Sequence, residues 1–419
     1  MAIKTDSSFR ESQVIDRTSL SPHVTEDPQP LPKLPSEIMV EILSRLPVES
    51  LLQLRCVCKS WCSLISSPEF AKSHLSLASA NADDSSCRII LSSSYTRPDL
   101  KSCSLYSILK DKFDSAVRVD IPLKSPYIPL TIWGTCDGLV CIGTERELCV
   151  WNPSTGKCKR LPDLETPYIS RSRFGFGYDE GIDDYKVVGF FFKGFGSCFD
   201  PDEVKVCSLK SDSWRRIEGC THPFSRDAYG VFVNRALHWI KYWRGYGAST
   251  DIIISLDLVK ETYGEIVVPE YRHGYYYNFS LEVLNGCLCL LCNYYNDCFD
   301  VWMMKEYGNR DSWTKVVVIP YVLHPLNNPH SAELCILVNG EVSREHTASL
   351  YSAPLCLLEN GEVLLDIGTL FIRYNPKDGI FSYPVVHNCS PNFTAHRYIE
   401  SLVSPDFHAD SGVKWQYQH

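Results

Sequence analysis

Four cysteines at short spacing, Cys287, Cys289, Cys292 and Cys298, are the sharpest candidate for a metal site in this 419-residue chain, because clustered thiolates can hold zinc. A strand explains them at less cost. In the run from Gly286 to Cys292 the two-residue strand period puts Cys287 and Cys289 on one face, and no second two-Cys knuckle or His pair follows at zinc-finger spacing. Cys56, Cys58 and Cys62 lie in a helical pattern and also read as structural thiols. Gly175, Gly177 and Gly181 fit neither the dinucleotide fingerprint nor the phosphate loop, and no Lys-Ser or Lys-Thr follows, so they read as turn glycines. Asp183 and Asp184 could form a catalytic pair. Adjacent acids on a polar turn ordinarily face water, however, and acid–base work needs surroundings that separate their pKa values. No Gly-x-Ser-x-Gly elbow and no His-Glu-x-x-His pattern occurs, and His238 beside Trp239 reads as a strand residue near a core rather than a ligand. The expectation is a chain without catalytic residues, metal or cofactor.

Binding chemistry is better represented. Tyr271, Arg272, His273 and Tyr275 crowd one short stretch, and Trp243, Arg244 and Tyr246 another that contains glycine. Aromatic residues and arginine are enriched in binding hot spots. Both stretches are candidates for holding a target protein, the alternative being a strand edge with one aromatic face buried.

The elements that must carry these residues follow from composition. Lys+Arg 41 against Asp+Glu 50 leaves a formal charge of -9, which argues against nucleic acid as the main partner. Hydrophobic residues at 44% and charged residues at 22% suit a chain that buries a core over most of its length. With 9 Trp, 23 Tyr and 18 Phe against 4 Met, the bias is toward residues that fit a pleated, half-buried surface, and a mainly β protein is expected. The longest apolar runs, such as Val187 to Phe192, have strand length and are too short to span a membrane. Met1 to Leu20 holds no apolar run of the length a secretory signal needs. The 19 cysteines, an odd number, therefore read as reduced thiols in a cytoplasmic or nuclear protein.

Residues 1–30 are polar and read as a disordered tail. From Leu31 the pattern changes to a small helical unit over residues 31–76. Ser36 can cap a first helix on which Ile38, Ile42 and Leu46 recur at i, i+4 and i+8. Pro47 stops it and opens a second helix from Val48 to Cys56. A third, Lys59 to Ser66, carries Trp61, Leu64 and Ile65 and is closed by Pro68. Three short helices cannot hide so many apolar residues, and surplus apolar surface on a small unit points to a protein interface.

The run Leu34-Pro35-Ser36-Glu37-Ile38, then Glu41 to Leu52, then Arg55-Cys56-Val57-Cys58-Lys59-Ser60-Trp61, resembles an F-box from about Leu34 to Leu75. That resemblance implies a three-helix module that docks on a Skp-family adaptor and, through it, on the cullin and RING subunits of an SCF ubiquitin ligase. It places Leu34, Pro35, Ile38, Leu43, Leu46, Pro47, Leu51, Leu52, Val57, Cys58 and Trp61 at positions that form or support the adaptor interface. Cys58 is a mild variation, since many members carry a small residue there.

Beyond a linker or first strand at 77–97, residues 98–405 show short alternating strands with internal repeats, and 406–419 form a tail. Asp137-Gly138 and Asn360-Gly361 open two stretches that align without gaps, Trp151-Asn152-Pro153 falling on Tyr374-Asn375-Pro376. Asp212-Ser213-Trp214 and Asp311-Ser312-Trp313 form a second pair, and Asn234 and Asn285 begin two further turns. Blades of about 40 to 50 residues would make this region an irregular β-propeller of six or seven blades, because radial closure protects strand edges. A pair of two-sheet sandwiches is the other solution. Cys136 to Cys141, Trp151 to Gly156, Phe174 to Asp179 and Val204 to Ile217 are similar to the F-box-associated interaction domain of plant F-box proteins, which implies a kelch-like substrate receptor. The combined expectation is a non-catalytic receptor that bridges the adaptor and an unknown target and promotes the target's ubiquitination and proteasomal degradation. A propeller enzyme acting on glycans, or an adaptor-bound scaffold that does not promote degradation, are the rival readings.

Overall fold

The computed structural model describes residues 35–80, 86–93, 99–110, 114–123, 130–144, 147–164, 172–192, 201–220, 229–241, 252–271, 277–294, 297–320, 353–368, 370–389 and 393–406. Four helices come first: α1 (Ser36–Leu43), α2 (Val48–Leu54), α3 (Lys59–Ile65) and α4 (Pro68–Ala80). Ser36 does not cap α1. Pro35 holds the N-cap position, and the Ser36 hydroxyl instead donates to the Glu37 carboxylate at 3.1 Å. Pro68, expected to close the third helix, lies just beyond its end and also opens α4. A proline at the first helical position forfeits only an N–H that has no intrahelical partner, and Ser67 Oγ accepts from the Phe70 N–H at 3.2 Å to start the turn.

Six four-stranded antiparallel sheets follow. Blade 2 is built from Thr131–Cys136, Leu139–Gly143, Leu148–Trp151 and Cys158–Arg160, and blade 3 from Arg173–Asp179, Asp184–Phe191, Glu203–Ser208 and Ser213–Ile217. Blade 4 comprises Val231–Val233, Ala236–Lys241, Ile252–Asp257 and Tyr263–Val267; blade 5 comprises Tyr277–Leu284, Cys287–Tyr294, Cys298–Met304 and Trp313–Pro320. Blade 6 holds Ala353–Leu357, Val363–Asp366, Phe371–Asn375 and Ile380–Ser382. Blade 1 is shared between the two ends of the β region. Cys87–Ser93, Asp99–Ser104 and Val117–Arg118 are joined on the inside by Thr394–Ile399, with Ile89 opposite Arg397. The innermost strands touch in a closed ring, each blade meeting the next and blade 6 meeting blade 1 through that last strand. The fold is thus a helical unit followed by a six-bladed β-propeller.

The core is divided as the blades are. Between blades 2 and 3 lie Leu139, Cys141, Val150, Phe174, Phe176 and Val187, and each other neighbouring pair has its own apolar seam. Gly175 and Gly177, read as turn glycines, sit instead within the inner strand of blade 3. A Cβ at Gly175 would come to 2.7 Å from Trp239 Cζ2, and one at Gly177 to 2.3 Å from Phe232 Cδ2. They make room for the aromatic residues of blade 4. The two Asp-Ser-Trp repeats also tie blades together, since Trp214 Nε1 donates to the Pro162 carbonyl at 2.9 Å and Trp313 Nε1 to the Val267 carbonyl at 3.0 Å.

Turns between the first and second strands show why the Asp-Gly and Asn-Gly signals were legible. Asp137 and Gly138 (φ 53° and 80°), Asn234 and Arg235 (51° and 69°), and Asn285 and Gly286 (51° and 73°) all take the left-handed pair of a two-residue hairpin. These turns define one face of the propeller. The chain enters blade 1 from α4 on that face, and it leaves Ile399 on the same side, so the helical unit rests there.

Candidate adaptor and target surfaces

On the helical unit, helix periodicity sorts the apolar residues into an inner and an outer set. Leu43 and Leu51 are 2% and 0% exposed and pack with Val48, Ile65, Phe70 and Ala71. They hold the helices against one another and present nothing to a partner. Leu46, Leu52 and Trp61 are half-buried against the same core. Ile38, Ile42 and Val57 are the outer set, exposed by 46%, 50% and 61% respectively. Pro35, Pro47 and Cys58 are exposed beside them, and Leu34 lies outside the described residues. Cys58 Sγ lies 3.1 Å from Ser60 Oγ, and that hydrogen bond, helped by the Trp61 backbone N–H, draws the thiol below its ordinary pKa. The outer set is apolar, uncovered by the propeller, and fringed by the exposed Arg45–Glu41 pair at 2.8 Å.

Tyr271 is 8% exposed, in the seam between blades 4 and 5, with its ring edge-on to Phe279 at 5.1 Å. It is a core residue rather than a surface contact: although it follows the last strand of blade 4, its ring packs among the apolar side chains of that seam. Trp243, Arg244, Tyr246, Arg272, His273 and Tyr275 lie outside the described residues. The strand ends that flank them, Lys241 and Ile252 in blade 4 and the start of blade 5 at Tyr277, are on the face away from the helical unit.

His238 is fully buried. Its Nδ1 donates to the Val231 carbonyl at 3.1 Å, which leaves Nε2 to accept from Tyr307 OH at 2.7 Å, and burial pushes the imidazole down to about 4. Asp183 and Asp184 do not act as a pair on a wet turn. Asp183 is half exposed, whereas Asp184 is 0% exposed and accepts from the Tyr185 N–H at 2.8 Å, the Lys210 N–H at 2.9 Å and Ser208 Oγ. It is a buried acceptor that closes the turn. Cys287 and Cys289 face the seam between blades 5 and 6, while Cys292 and Cys298 face the seam between blades 4 and 5. The four thiols are therefore divided between opposite faces of one sheet. Among the described residues no group of three or more His, Cys, Asp or Glu could hold a metal ion. No described helix is long and apolar enough to cross a membrane.

A helical unit with an uncovered apolar face, joined to a closed propeller, defines an F-box receptor architecture, and comparison with known proteins agrees. The F-box domain family matches residues 31–73, and the F-box associated beta propeller domain family matches residues 99–343. The chain belongs to the plant F-box proteins with a C-terminal F-box associated propeller. Among its relatives in Arabidopsis thaliana, F-box protein CPR1 is 36% identical over 311 residues, covering 68% of this chain and 73% of that protein. F-box/kelch-repeat protein At3g23880 is 30% identical over 407 residues, covering 93% and 98%. F-box protein At4g22390 is 31% identical over 313 residues, covering 68% and 74%. Membership supports a general role as a substrate receptor associated with SCF complexes.

Proposed function

We propose that this chain is the target-recognition subunit of an SCF-type ubiquitin ligase. Its F-box docks on a Skp-family adaptor through Pro35, Ile38, Pro47, Val57, Cys58 and neighbouring half-buried residues Leu46, Leu52 and Trp61, with Leu43 and Leu51 supporting that surface from within. The adaptor links it to the cullin and RING subunits. The target protein is held on the propeller face away from the F-box, where the segments bearing Trp243, Arg244, Tyr246, Arg272, His273 and Tyr275 leave the blades. The mechanism is proximity: tethering raises the effective concentration of a target lysine near the charged conjugating enzyme, with no bond made or broken by this chain.

The observation that carries this reading is the exposed trio Ile38, Ile42 and Val57 on a small helical unit that the propeller leaves uncovered. Affinity capture from plant extract with an Ile42→Asp full-length variant, followed by half-life measurements on the captured proteins, tests the degradative part. A target should be held by the variant and should persist in its presence, while the wild-type chain shortens its half-life. Equal half-lives with both chains would favour an adaptor-bound scaffold that does not promote degradation.

A further inference from the structure

The F-box interior is not closed by the F-box alone. Leu402, 8% exposed, joins the core of Leu43, Val48, Leu51, Ile65 and Phe70, although it follows the last strand of the propeller. The next residue, Val403, belongs to the seam between blades 2 and 3, against which Leu75 of α4 also packs. Ser401 is fixed between them. Its Oγ donates to the Asp137 carbonyl at 2.7 Å, and its own carbonyl accepts from Asn152 Nδ2 at 3.0 Å. Asn152 Nδ2 also donates to the Val403 carbonyl at 2.7 Å. Three consecutive residues thus reach into both parts of the molecule.

Helix α4 adds to the joint. Lys72 pairs with Asp183 on the turn of blade 3, and His74 Nε2 donates to the Leu46 carbonyl at 2.9 Å, tying α4 to the end of the α1–α2 turn. On the α2 side the two parts stand off. A cleft of ≈ 270 Å³ separates Val48, Glu49 and Leu52 from Arg88, Tyr398 and Glu400. The seal is carried by α4 and by residues 401–403.

We propose that Ser401, Leu402 and Val403 are positioning residues: they complete the F-box core and fix its direction on the propeller, so that adaptor binding by the N-terminal module depends on the far end of the chain. This deepens the receptor reading above and rests on it for the adaptor's role. A helical unit of this size has too little buried surface to hold one conformation firmly by itself. Supplying one more core leucine from a closed propeller lends it the stability of the larger part.

The test uses full-length Leu402→Ala and Leu402→Met, read by hydrogen exchange and by binding to a purified Skp-family adaptor. Leu402→Ala should raise exchange in α1, α2 and α4 by about tenfold or more, and weaken adaptor binding by about tenfold, with exchange in the strands of blades 3 to 5 unchanged. Leu402→Met should restore both, because it refills the volume. Unchanged F-box exchange in Leu402→Ala would overturn the proposal. Equal loss of protection in the F-box and in blades 3 to 5 would overturn it too, since Leu402 would then hold the whole chain and not the joint. Exchange needs no adaptor, so a wild-type chain that fails to bind adaptor would contradict the receptor reading while the exchange result still decides the role of Leu402.

Discussion

Asn152 and Ser401 stand 249 positions apart in the chain, yet the Asn152 amide donates to the Ser401 carbonyl at 3.0 Å in the buried corner where blade 2 meets the segment leaving the propeller. The other half of the same amide is used locally, since Asn152 Oδ1 accepts from the Ser154 N–H at 2.8 Å and from the Thr155 N–H at 3.3 Å. One side chain therefore shapes its own turn and fastens the far end of the chain. Asn152→Ala leaves two buried carbonyls and two turn N–H groups short of a partner, and should cost about 2–4 kcal/mol. The midpoint of urea unfolding followed by tryptophan fluorescence measures this. Asn375→Ala should cost less, because the corresponding asparagine of blade 6 donates to Glu362 and Asp378 side chains near the surface.

Gly177→Ala tests how the blades pack. The added methyl would lie 2.3 Å from Phe232 Cδ2, and the ring is itself held between the seams on either side of it. Overpacking of that kind costs about 1–3 kcal/mol. Combining it with Phe232→Leu should recover part of the loss. Thermal melts of the two single variants and the double variant, compared as a cycle, measure the coupling.

Near the propeller axis, burial raises the Glu282 carboxyl to about 7, with the neighbouring Asp366 adding to the rise and the hydrogen bond from Tyr229 OH opposing it. Burial also raises Asp366 to about 7, against the backbone N–H groups of Gly368 and Ala395. A carboxyl that holds its proton more tightly when folded adds stability that is fully present below its unfolded pKa of about 4.3 and disappears as pH rises through the folded value. Stability should therefore decline between about pH 4 and pH 7 through these groups. Glu282→Gln keeps an acceptor for Tyr229 and removes the charge. It should equal the wild type at pH 4 and exceed it at pH 8 by about 1–3 kcal/mol in chemical denaturation. A constant difference at both values would contradict this assignment.

What the sequence disclosed, and what it hid, divides along local and distant causes. The F-box was legible because its helices are bounded by Pro35, Pro47 and Pro68 and because its motif residues are contiguous. The turns at Asp137-Gly138 and at Asn285-Gly286 were legible because only a few residue types accept the left-handed backbone there. Repeat length alone allows six or seven blades, because blade 1 is completed by Thr394–Ile399 pairing with Cys87–Ser93, a contact with no local signal. Helix α4 was hidden by Pro68, which ends a helix and begins one with equal ease. Gly175 and Gly177 were misread because small residues in a strand and small residues in a turn look alike until the opposing Trp239 and Phe232 are placed. Leu402 was missed for the same kind of reason: nothing in Ser401-Leu402-Val403 marks the middle residue as belonging to a core more than three hundred residues upstream.

The most direct measurement of the central claim is equilibrium binding of a purified Skp-family adaptor to the full-length chain and to a full-length Ile38→Asp, Ile42→Asp, Val57→Asp variant. All three residues are exposed, so the variant should melt within about 2 °C of the wild type, because surface substitutions outside packed sites change stability little. The account predicts adaptor binding by the wild type and a loss of at least about a hundredfold in the variant, as expected when charge is placed at the centre of an apolar interface. Equal affinities, or a wild-type chain that binds no such adaptor, would contradict it.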